Sequence, residues 1–148
     1  MFDFNRVYEK AVYSNLKRYQ KGRICRLISK LLGIILRIIF NCDICLGATF
    51  NENVRIPHAV GIVIGSTAII EENVVIMPNV VIGARHFPPE QLTKRHATVK
   101  KGCLLGANAV IIGNITIGEN STIAAGAIIT KDVPSNSIVM GNNIIIRK

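Results

Sequence analysis

The run IGSTAIIEENVVIMPNVVIG, residues 64–83, places an isoleucine at every sixth position: Ile64, Ile70, Ile76 and Ile82. Residues 99–129 repeat this interval with Val99, Leu105, Ile111, Ile117, Ile123 and Ile129. Small residues often follow, as at Gly65, Gly83, Gly106, Gly118 and Ala124. A period of six fits neither a helix of about 3.6 residues per turn nor plain strand alternation. It is typical of a β-helix, in which each repeat forms one face of a triangular coil and stacked coils share one aliphatic core. The sequence therefore predicts an all-β solenoid.

The interval is first broken near the start of the repeats. An earlier series of large apolar residues has the same spacing: Ile44, Phe50 and Ile56. The next member is Ile64 instead of residue 62, so two extra residues lie at Val60-Gly61-Ile62. His58 comes just before this slip. Insertions in repeat proteins leave the stack as loops and often carry the functional site.

The second break is larger and lies between Ile82 and Val99. The interval between them is one position short of three repeats, and residues 84–98 carry no hexapeptide pattern. The segment is polar and contains a Pro-Pro pair, which is typical of a loop. His86 and His96 lie on this loop or at its base. We expect one protruding loop here.

Residues 1–41 have a different composition. They contain nine of the 18 basic residues and only two acids, so they carry +7 of the formal net charge of +9. Apolar positions recur at helical spacing, which predicts one or two amphipathic helices with a break near Lys21-Gly22. Four basic residues interrupt any run of the ~20 apolar residues that a membrane span needs, and no signal-peptide cleavage site follows. The helix either packs on the first coil or a neighbouring subunit, or holds the chain peripherally on the inner face of the cytoplasmic membrane. No motif or aromatic set supports nucleic-acid binding.

The four cysteines do not form a recognisable metal or redox site. Cys42 and Cys45 have C-x-x-C spacing, but no second such pair supplies further ligands. Cys25 and Cys103 are solitary and lie among apolar residues. We expect small buried side chains in a reducing cytoplasm, and no metal.

One histidine and one carboxylate have a spacing that suits acid–base chemistry. His58 lies at a predicted corner of the solenoid, and Asp43 precedes it by a little less than one coil. The two-residue insertion lengthens this coil, so the spacing brings Asp43 near His58. Transfer of an acyl group to a hydroxyl requires a base and a group that orients it. The alternative is a corner histidine bonded to a loop carbonyl.

At these positions the chain resembles a known family. Cys-Asp-Ile (42–44), Ile-Pro-His-Ala-Val-Gly-Ile-Val-Ile-Gly (56–65) and Lys-Arg-His (94–96) fall in the order found in serine acetyltransferases. The resemblance covers residues 41–141 and is closest to the short O-acetyltransferases of bacterial surface-polysaccharide loci. It implies a left-handed parallel β-helix of about five coils in residues 42–148, with the loop at 84–98. It also implies a homotrimer that binds acetyl-CoA in grooves between subunits.

The resemblance assigns roles position by position. It makes His58 the general base, Asp43 its partner, and His96 a second active-site histidine from the neighbouring subunit. Arg95 matches the arginine that holds the acceptor carboxylate. The positions implied to contact the CoA arm or its phosphates are Gly83, Gly106, Ala107, Ala125 and Lys131.

Departures from the family pattern bear on the acceptor. Serine acetyltransferases carry an acceptor-binding aspartate before the catalytic histidine, and here that residue is Pro57. Their large helical N-terminal domain is replaced by the short segment 1–41. We therefore expect a cytoplasmic acetyl-CoA-dependent O-acetyltransferase that acts on a sugar hydroxyl of a surface polysaccharide, either on the glycan or on its lipid-linked or sugar-nucleotide precursor.

Four alternatives follow from the same residues. Serine O-acetylation in cysteine biosynthesis is favoured by Arg95, and N-acetylation of an amino sugar would use the same groove. A metal-dependent hydratase of the γ-carbonic-anhydrase type would use His58, His86 and His96, although the spacing of the last two does not match that family. A catalytically silent scaffold would not need His58.

Overall fold

The computed structural model describes residues 10–12, 14, 15, 17, 23–85 and 94–147. From Asp43 onward the chain winds as a left-handed β-helix whose coils have three faces, here called A, B and C. Strands of successive coils pair in parallel on each face. Among the strands of the described ranges, the final one alone runs antiparallel to its neighbour. The predicted solenoid of about five coils with an N-terminal helix is confirmed.

Short strands form the three faces. Face A stacks β1 (Asp43–Ile44), β3 (Val63–Ile64), β6 (Val81–Gly83), β9 (Val110–Ile112) and β12 (Ile128–Ile129). Face B stacks β2 (Thr49–Phe50), β4 (Ile69–Ile70), β7 (Thr98–Val99) and β10 (Thr116–Ile117). Face C stacks β5 (Val75–Ile76), β8 (Leu104–Leu105), β11 (Thr122–Ile123), β13 (Ser137–Met140) and β14 (Ile144–Arg147).

The six-residue series forms the core. Side chains at these positions point inward from all three faces and are fully buried, namely Ile64, Ile70, Ile76, Ile82, Val99, Leu105, Ile111, Ile117, Ile123 and Ile129. Burying an aliphatic side chain of this size contributes about 1.5–3 kcal/mol. The aliphatic column therefore stabilises the stack along its whole length.

Two of the three corners require left-handed backbone. The corner between faces C and A carries a column of residues with positive φ: Asn41, Gly61, Asn79, Asn108 and Gly126. The corner between faces B and C carries a second column: Asn53, Asn73, Gly102, Asn120 and Asn136. Only Gly and Asn enter this region readily, so these residue types mark the corners.

Strand register confirms the first insertion. Arg55 pairs with Val75 on face C, and Val63 pairs with Val81 on face A. Seven residues separate Arg55 from Val63 in the first of these coils, whereas five separate Val75 from Val81 in the next. The two additional residues lie in the corner that contains His58, as the spacing predicted.

The second insertion occupies a single corner. Strands β6 and β7 lie on consecutive faces, A and B, yet almost three repeats' worth of sequence separates Ile82 from Val99. The coil below spans the same corner within one repeat, from Ile64 to Ile70. The segment is therefore one long insertion between adjacent faces, and no repeat has been lost from the stack. Residues 86–93, including His86, lie outside the described part.

The N-terminal extension is helical where it is described. Helix α1 runs from Arg23 to Phe40, and the described residues of 10–17 are also helical. Asn15 Nδ2 donates to the Ser29 carbonyl oxygen at 3.1 Å, and Ser29 Oγ donates to the Asn15 carbonyl oxygen at 3.3 Å. Both residues are buried. The predicted break near Lys21-Gly22 lies outside the described residues.

Candidate functional site

His96 is the most firmly held candidate residue. It lies at the corner between faces A and B and is buried. The Thr67 backbone N–H donates to His96 Nδ1 at 3.2 Å, and Thr67 Oγ1 lies 2.8 Å from the same nitrogen. Thr67 Oγ1 also accepts from the backbone N–H groups of Arg95 and His96. One threonine therefore fixes both the backbone and the ring of this segment.

These contacts define the chemistry that His96 can perform. Because an N–H group donates to Nδ1, that nitrogen carries a lone pair and the ring proton resides on Nε2. Burial, followed by the positive charges of Arg95 and Lys94, lowers the pKa of His96 below its usual value. The ring is therefore a neutral N–H donor at Nε2 and is poorly suited to act as a base.

Gly65 makes room for the His96 ring. A Cβ atom at residue 65 would lie 2.0 Å from His96 Nε2, far inside any permitted contact. Gly65 follows β3 on face A, one coil below the loop that carries His96. The imidazole therefore rests directly on the backbone of the preceding coil.

A basic cleft adjoins His96. It has a volume of about 370 Å³, and its lining includes Arg85, Lys94 and Arg95. Lys94 Nζ donates to the carbonyl oxygens of Thr67 and His96, and Arg85 donates to the carbonyl oxygen of Thr130. Among the described residues, buried Arg95 Nε has no hydrogen-bond partner. A guanidinium group that lines a cleft suits an anionic ligand such as a carboxylate.

Asp43 lies on the first strand of face A and contacts the N-terminal helix. Its Oδ1 accepts a hydrogen bond from Arg37 Nη2. Both side chains line a cavity of about 470 Å³ between α1 and the first coil. Burial, and then the Asp43 carboxylate, raises the pKa of the neighbouring Cys45 thiol. The thiol therefore stays protonated near neutral pH and is a poor nucleophile.

His58 is exposed at the corner between faces C and A. Asp43 lies near the same corner, since Gly61 N donates to the Asn41 carbonyl and Asp43 N donates to the Ile62 carbonyl. Within the described part of the chain, however, no hydrogen bond or ion pair joins Asp43 to His58. Asp43 and His58 therefore lie on neighbouring coils, but the Asp43 carboxylate binds Arg37 instead of His58.

The two predicted active-site histidines lie at different corners of one protomer. His58 precedes face A, between Arg55 of face C and β3. His96 follows face A, between β6 and β7. The whole width of face A separates them, so they do not meet within a single chain.

The five positions expected to contact CoA have different environments. A Cβ at Gly106 would lie 2.6 Å from Ala125 N, so the close approach of the next coil explains that glycine. A Cβ at Gly83 would meet only flexible side chains, the nearest being Ile112 at 3.0 Å. Ala125 and Lys131 are exposed, Ala107 is half-buried, and nothing lies within 4 Å of a Cβ at Gly126. The wall at Ala125-Gly126 is therefore open to solvent.

The residues proposed for a metal site do not converge where they are described. His58 and His96 occupy different corners, and His86 lies outside the described residues. No three potential ligands cluster within the described ranges. Cys42 and Cys103 are buried, while Cys25 and Cys45 are half-buried.

Sequence analysis missed Thr67. It lies three residues before Ile70, just as His96 lies three residues before Val99, and both aliphatic residues belong to face B. The two therefore occupy equivalent corner positions in adjacent coils. Extending the six-residue register across the long insertion would have paired them.

Residues 96–131 match the family model for the bacterial transferase hexapeptide, which comprises six repeats. The chain is 37% identical over 126 residues to serine acetyltransferase 2 of Arabidopsis thaliana, covering 85% of this chain and 38% of that protein. It is 37% identical over 123 residues to the serine acetyltransferase of Mycobacterium tuberculosis, covering 83% of this chain and 52% of that protein. A solved structure of the Brucella abortus serine acetyltransferase in complex with coenzyme A superposes with a TM-score of 0.89 at 32% identity, covering all of this chain and 58% of that one.

These similarities identify hexapeptide repeats in the chain and show that it resembles serine acetyltransferases over most of its length. It spans between about a quarter and three-fifths of the length of the relatives it matches. They are serine acetyltransferases, so the expected closeness to acetyltransferases of polysaccharide loci gains no support from them.

Proposed function

We propose that this serine-acetyltransferase-like chain is an acetyl-CoA-dependent O-acetyltransferase and that its acceptor is the hydroxyl of serine. The relatives favour this acceptor over the sugar hydroxyl expected from the sequence. The observation that carries the proposal is the arrangement of Arg95 beside His96. The Arg95 side chain lines a basic cleft, and its buried Nε has no hydrogen-bond partner among the described residues. His96, the next residue in the chain, is fixed as an N–H donor.

The proposed reaction needs one base and one donor. His58 removes the proton from the acceptor hydroxyl, and the oxygen attacks the thioester carbonyl of acetyl-CoA. The tetrahedral intermediate collapses with cleavage of the carbon–sulfur bond, and the proton on His58 passes to the departing CoA thiolate. The products are the O-acetyl ester and CoA-SH. No acyl-enzyme is required, which agrees with the raised pKa of the Cys45 thiol.

His96 and Arg95 would act on the substrate without taking its proton. The Nε2–H of His96 can donate to the substrate or to the developing oxyanion, since Nδ1 is already bound by Thr67. The Arg95 guanidinium would bind the serine carboxylate. We expect His58→Ala to remove nearly all acetyl transfer and His96→Ala to remove much of it.

The separation of the two histidines supports a site shared between subunits. His58 of one copy and His96 of a neighbour would face the same groove in a homotrimer, with the CoA arm along the open wall at Ala125-Gly126. Joint refolding of His58→Ala subunits with His96→Ala subunits tests this. The mixed oligomers should be more active than the average of the two variants alone, since some grooves then contain both histidines. If the mixture does not exceed that average, the shared site is wrong.

A panel of acceptors tests the substrate. Free CoA thiol is measured with acetyl-CoA and L-serine, and in parallel with amino sugars, nucleotide sugars and glycans. We expect serine to accelerate thiol release and Arg95→Gln to raise the KM for serine more than it lowers kcat. Thiol release with sugars but not with serine overturns the serine assignment while leaving acetyl transfer intact.

A sugar hydroxyl is a second candidate, and Pro57 is the residue that favours it. The resemblance places an acceptor-binding aspartate at this position in serine acetyltransferases, and proline supplies no such carboxylate. Pro57→Asp separates the candidates. If serine is the acceptor and is bound weakly because this carboxylate is missing, the substitution should increase kcat/KM for serine. If a sugar is the acceptor, the substitution should lower kcat/KM for the sugar.

A further inference from the structure

Helix α1 exposes a continuous apolar surface to solvent. We call it the apolar face of α1. Its eight members are 43–79% exposed, and they are Ile24, Leu27, Ile28, Leu31, Ile34, Ile35, Ile38 and Ile39. An exposed apolar patch rimmed by polar residues marks an interaction site in a folded protein.

The remaining side chains of α1 divide into two further arcs. At about 100° per residue, the apolar face covers an arc of about 140°. Ser29, which is fully buried, lies in a second arc that packs on the protein with Cys25 and Leu32. The described basic residues Lys30 and Arg37 lie in the narrow arc between the buried side and the apolar face.

Charge on this helix has one sign. Helix α1 contains four basic residues and no aspartate or glutamate. Lys30 is exposed and lies at the border of the apolar face. Arg37 is exposed as well, and it pairs with the Asp43 carboxylate of β1. A helix with a wide apolar face, a basic flank and no acid is the arrangement that binds at the surface of an anionic bilayer.

We propose that the apolar face of α1 docks on an anionic lipid surface, with Lys30 and its neighbouring basic positions at the level of the lipid phosphates. No described helix is long and apolar enough to cross a membrane. Helix α1 would lie in the plane of the interface over its length of about 27 Å. This proposal is independent of the acceptor and of the reaction.

Charge also argues against the same face as a contact between two copies of α1. Pairing two such faces would bring both basic flanks together, with no carboxylate on either helix to offset them. Burial of the apolar face would favour a second helix and a lipid surface alike. The basic flank favours the anionic lipid surface.

Co-flotation with lipid vesicles tests the proposal. The full chain is mixed with vesicles of phosphatidylcholine alone, or of phosphatidylcholine with phosphatidylglycerol. We expect binding to the anionic vesicles only, and weaker binding as salt is raised from about 0.1 M, where the screening length is about 10 Å. Lys30→Glu should weaken binding at least roughly fivefold, because each basic residue near the surface contributes about 1 kcal/mol.

Matched variants separate the apolar face from general surface properties. Leu31→Glu changes the centre of the apolar face and should abolish flotation. Ile146→Glu places the same side chain at a position of similar exposure in β14 and should leave flotation unchanged. Circular dichroism of each variant checks that the fold is retained.

Two outcomes overturn the proposal. One is equal flotation of the full chain with neutral and anionic vesicles, or with neither. The other combines two results: the unchanged chain binds no vesicles, and Leu31→Glu loses self-association as measured by light scattering. That result would make the face an interface between copies. Thiol release with soluble acceptors is measured in parallel, so failure here leaves the proposed reaction separately testable.

Discussion

His96 owes its position to two residues of the preceding coil, Thr67 and Gly65. Thr67 holds Nδ1 and the backbone of the loop base, while Gly65 leaves space for the ring. The first contact sets which nitrogen carries the proton, and the second sets where that proton points. The six-residue interval identified Gly65 as a small position but did not indicate what it accommodates.

Gly65→Ala should displace the His96 ring, because the new methyl group would lie 2.0 Å from Nε2. A misplacement of about 1 Å can cost roughly a hundredfold in rate, and we expect a loss of that order in CoA thiol release. Gly33→Ala in α1 is the matched control, since its methyl group would meet Asn15 Nδ2 at an ordinary 3.8 Å. Full activity of Gly65→Ala would show that the ring position is unimportant.

The lowered pKa of His96 predicts a dependence of stability on pH. The unfolded chain takes up this proton below about pH 6.5, whereas the folded chain resists it because of burial, Arg95 and Lys94. The unfolded state therefore binds more protons as pH falls, and folding is weakened. The contribution is complete above the unfolded pKa and declines as pH drops towards the folded pKa.

His96→Asn isolates this effect, because asparagine carries no proton at either pH. The midpoint of thermal unfolding is measured for both proteins between about pH 8 and pH 5. We expect the unchanged protein to lose more stability than the variant on acidification. Parallel curves for the two proteins would contradict a histidine held neutral. His58→Asn is the control: it makes the same substitution at an exposed histidine and shows the effect of losing a histidine that is not buried.

At the scale of elements, the two corner columns distinguish this fold from any other stack of short strands. Asn73 has φ of 59°, is exposed, and belongs to the column between faces B and C. An L-residue with a Cβ costs about 1–2 kcal/mol in this conformation unless it is asparagine or aspartate.

Asn73→Ala should therefore destabilise the protein by about 1–2 kcal/mol, whereas Asn73→Gly should retain most of its stability. Thermal unfolding at one fixed protein concentration compares the two variants. If alanine and glycine behave alike, the left-handed conformation at this corner is not needed.

Much of the solenoid could be predicted because its core depends on residue type and interval alone. Every aliphatic residue from Ile64 to Ile129 in the six-residue series is buried, and the slip near Val60 lies where the count placed it. The long insertion was harder, since the interval from Ile82 to Val99 is close to the length of three repeats. Only the pairing of β4 with β7 shows that it spans one corner.

The site was less predictable because its contacts join distant parts of the chain. Sequence spacing placed Asp43 near His58, but the carboxylate binds Arg37 of α1, an element outside the repeat pattern. Thr67 was missed for a related reason, since its partner His96 lies 29 residues away across the insertion. Contacts with the non-repeat helix carry no periodic signal, and the long insertion hides the register that relates Thr67 to His96.

At the scale of the whole molecule, the β-helix and the helix α1 present different surfaces. The solenoid buries its aliphatic residues and separates His58 from His96 across face A, so the proposed mechanism would need a second copy to complete its site. Helix α1 instead exposes most of its apolar residues beside a basic flank. Catalysis and docking are therefore assigned to separate parts of the chain.

The rate of CoA thiol release from acetyl-CoA with L-serine, compared between the unchanged chain and His58→Ala, tests the central claim most directly. We expect serine-dependent release in the unchanged chain, and a loss of about 10²–10⁴-fold in the variant, the usual contribution of a general base. The variant must keep the unchanged chain's circular dichroism spectrum. Equal rates in the two proteins, or no release from the unchanged chain with serine or with any sugar acceptor, would contradict acetyl transfer at this site.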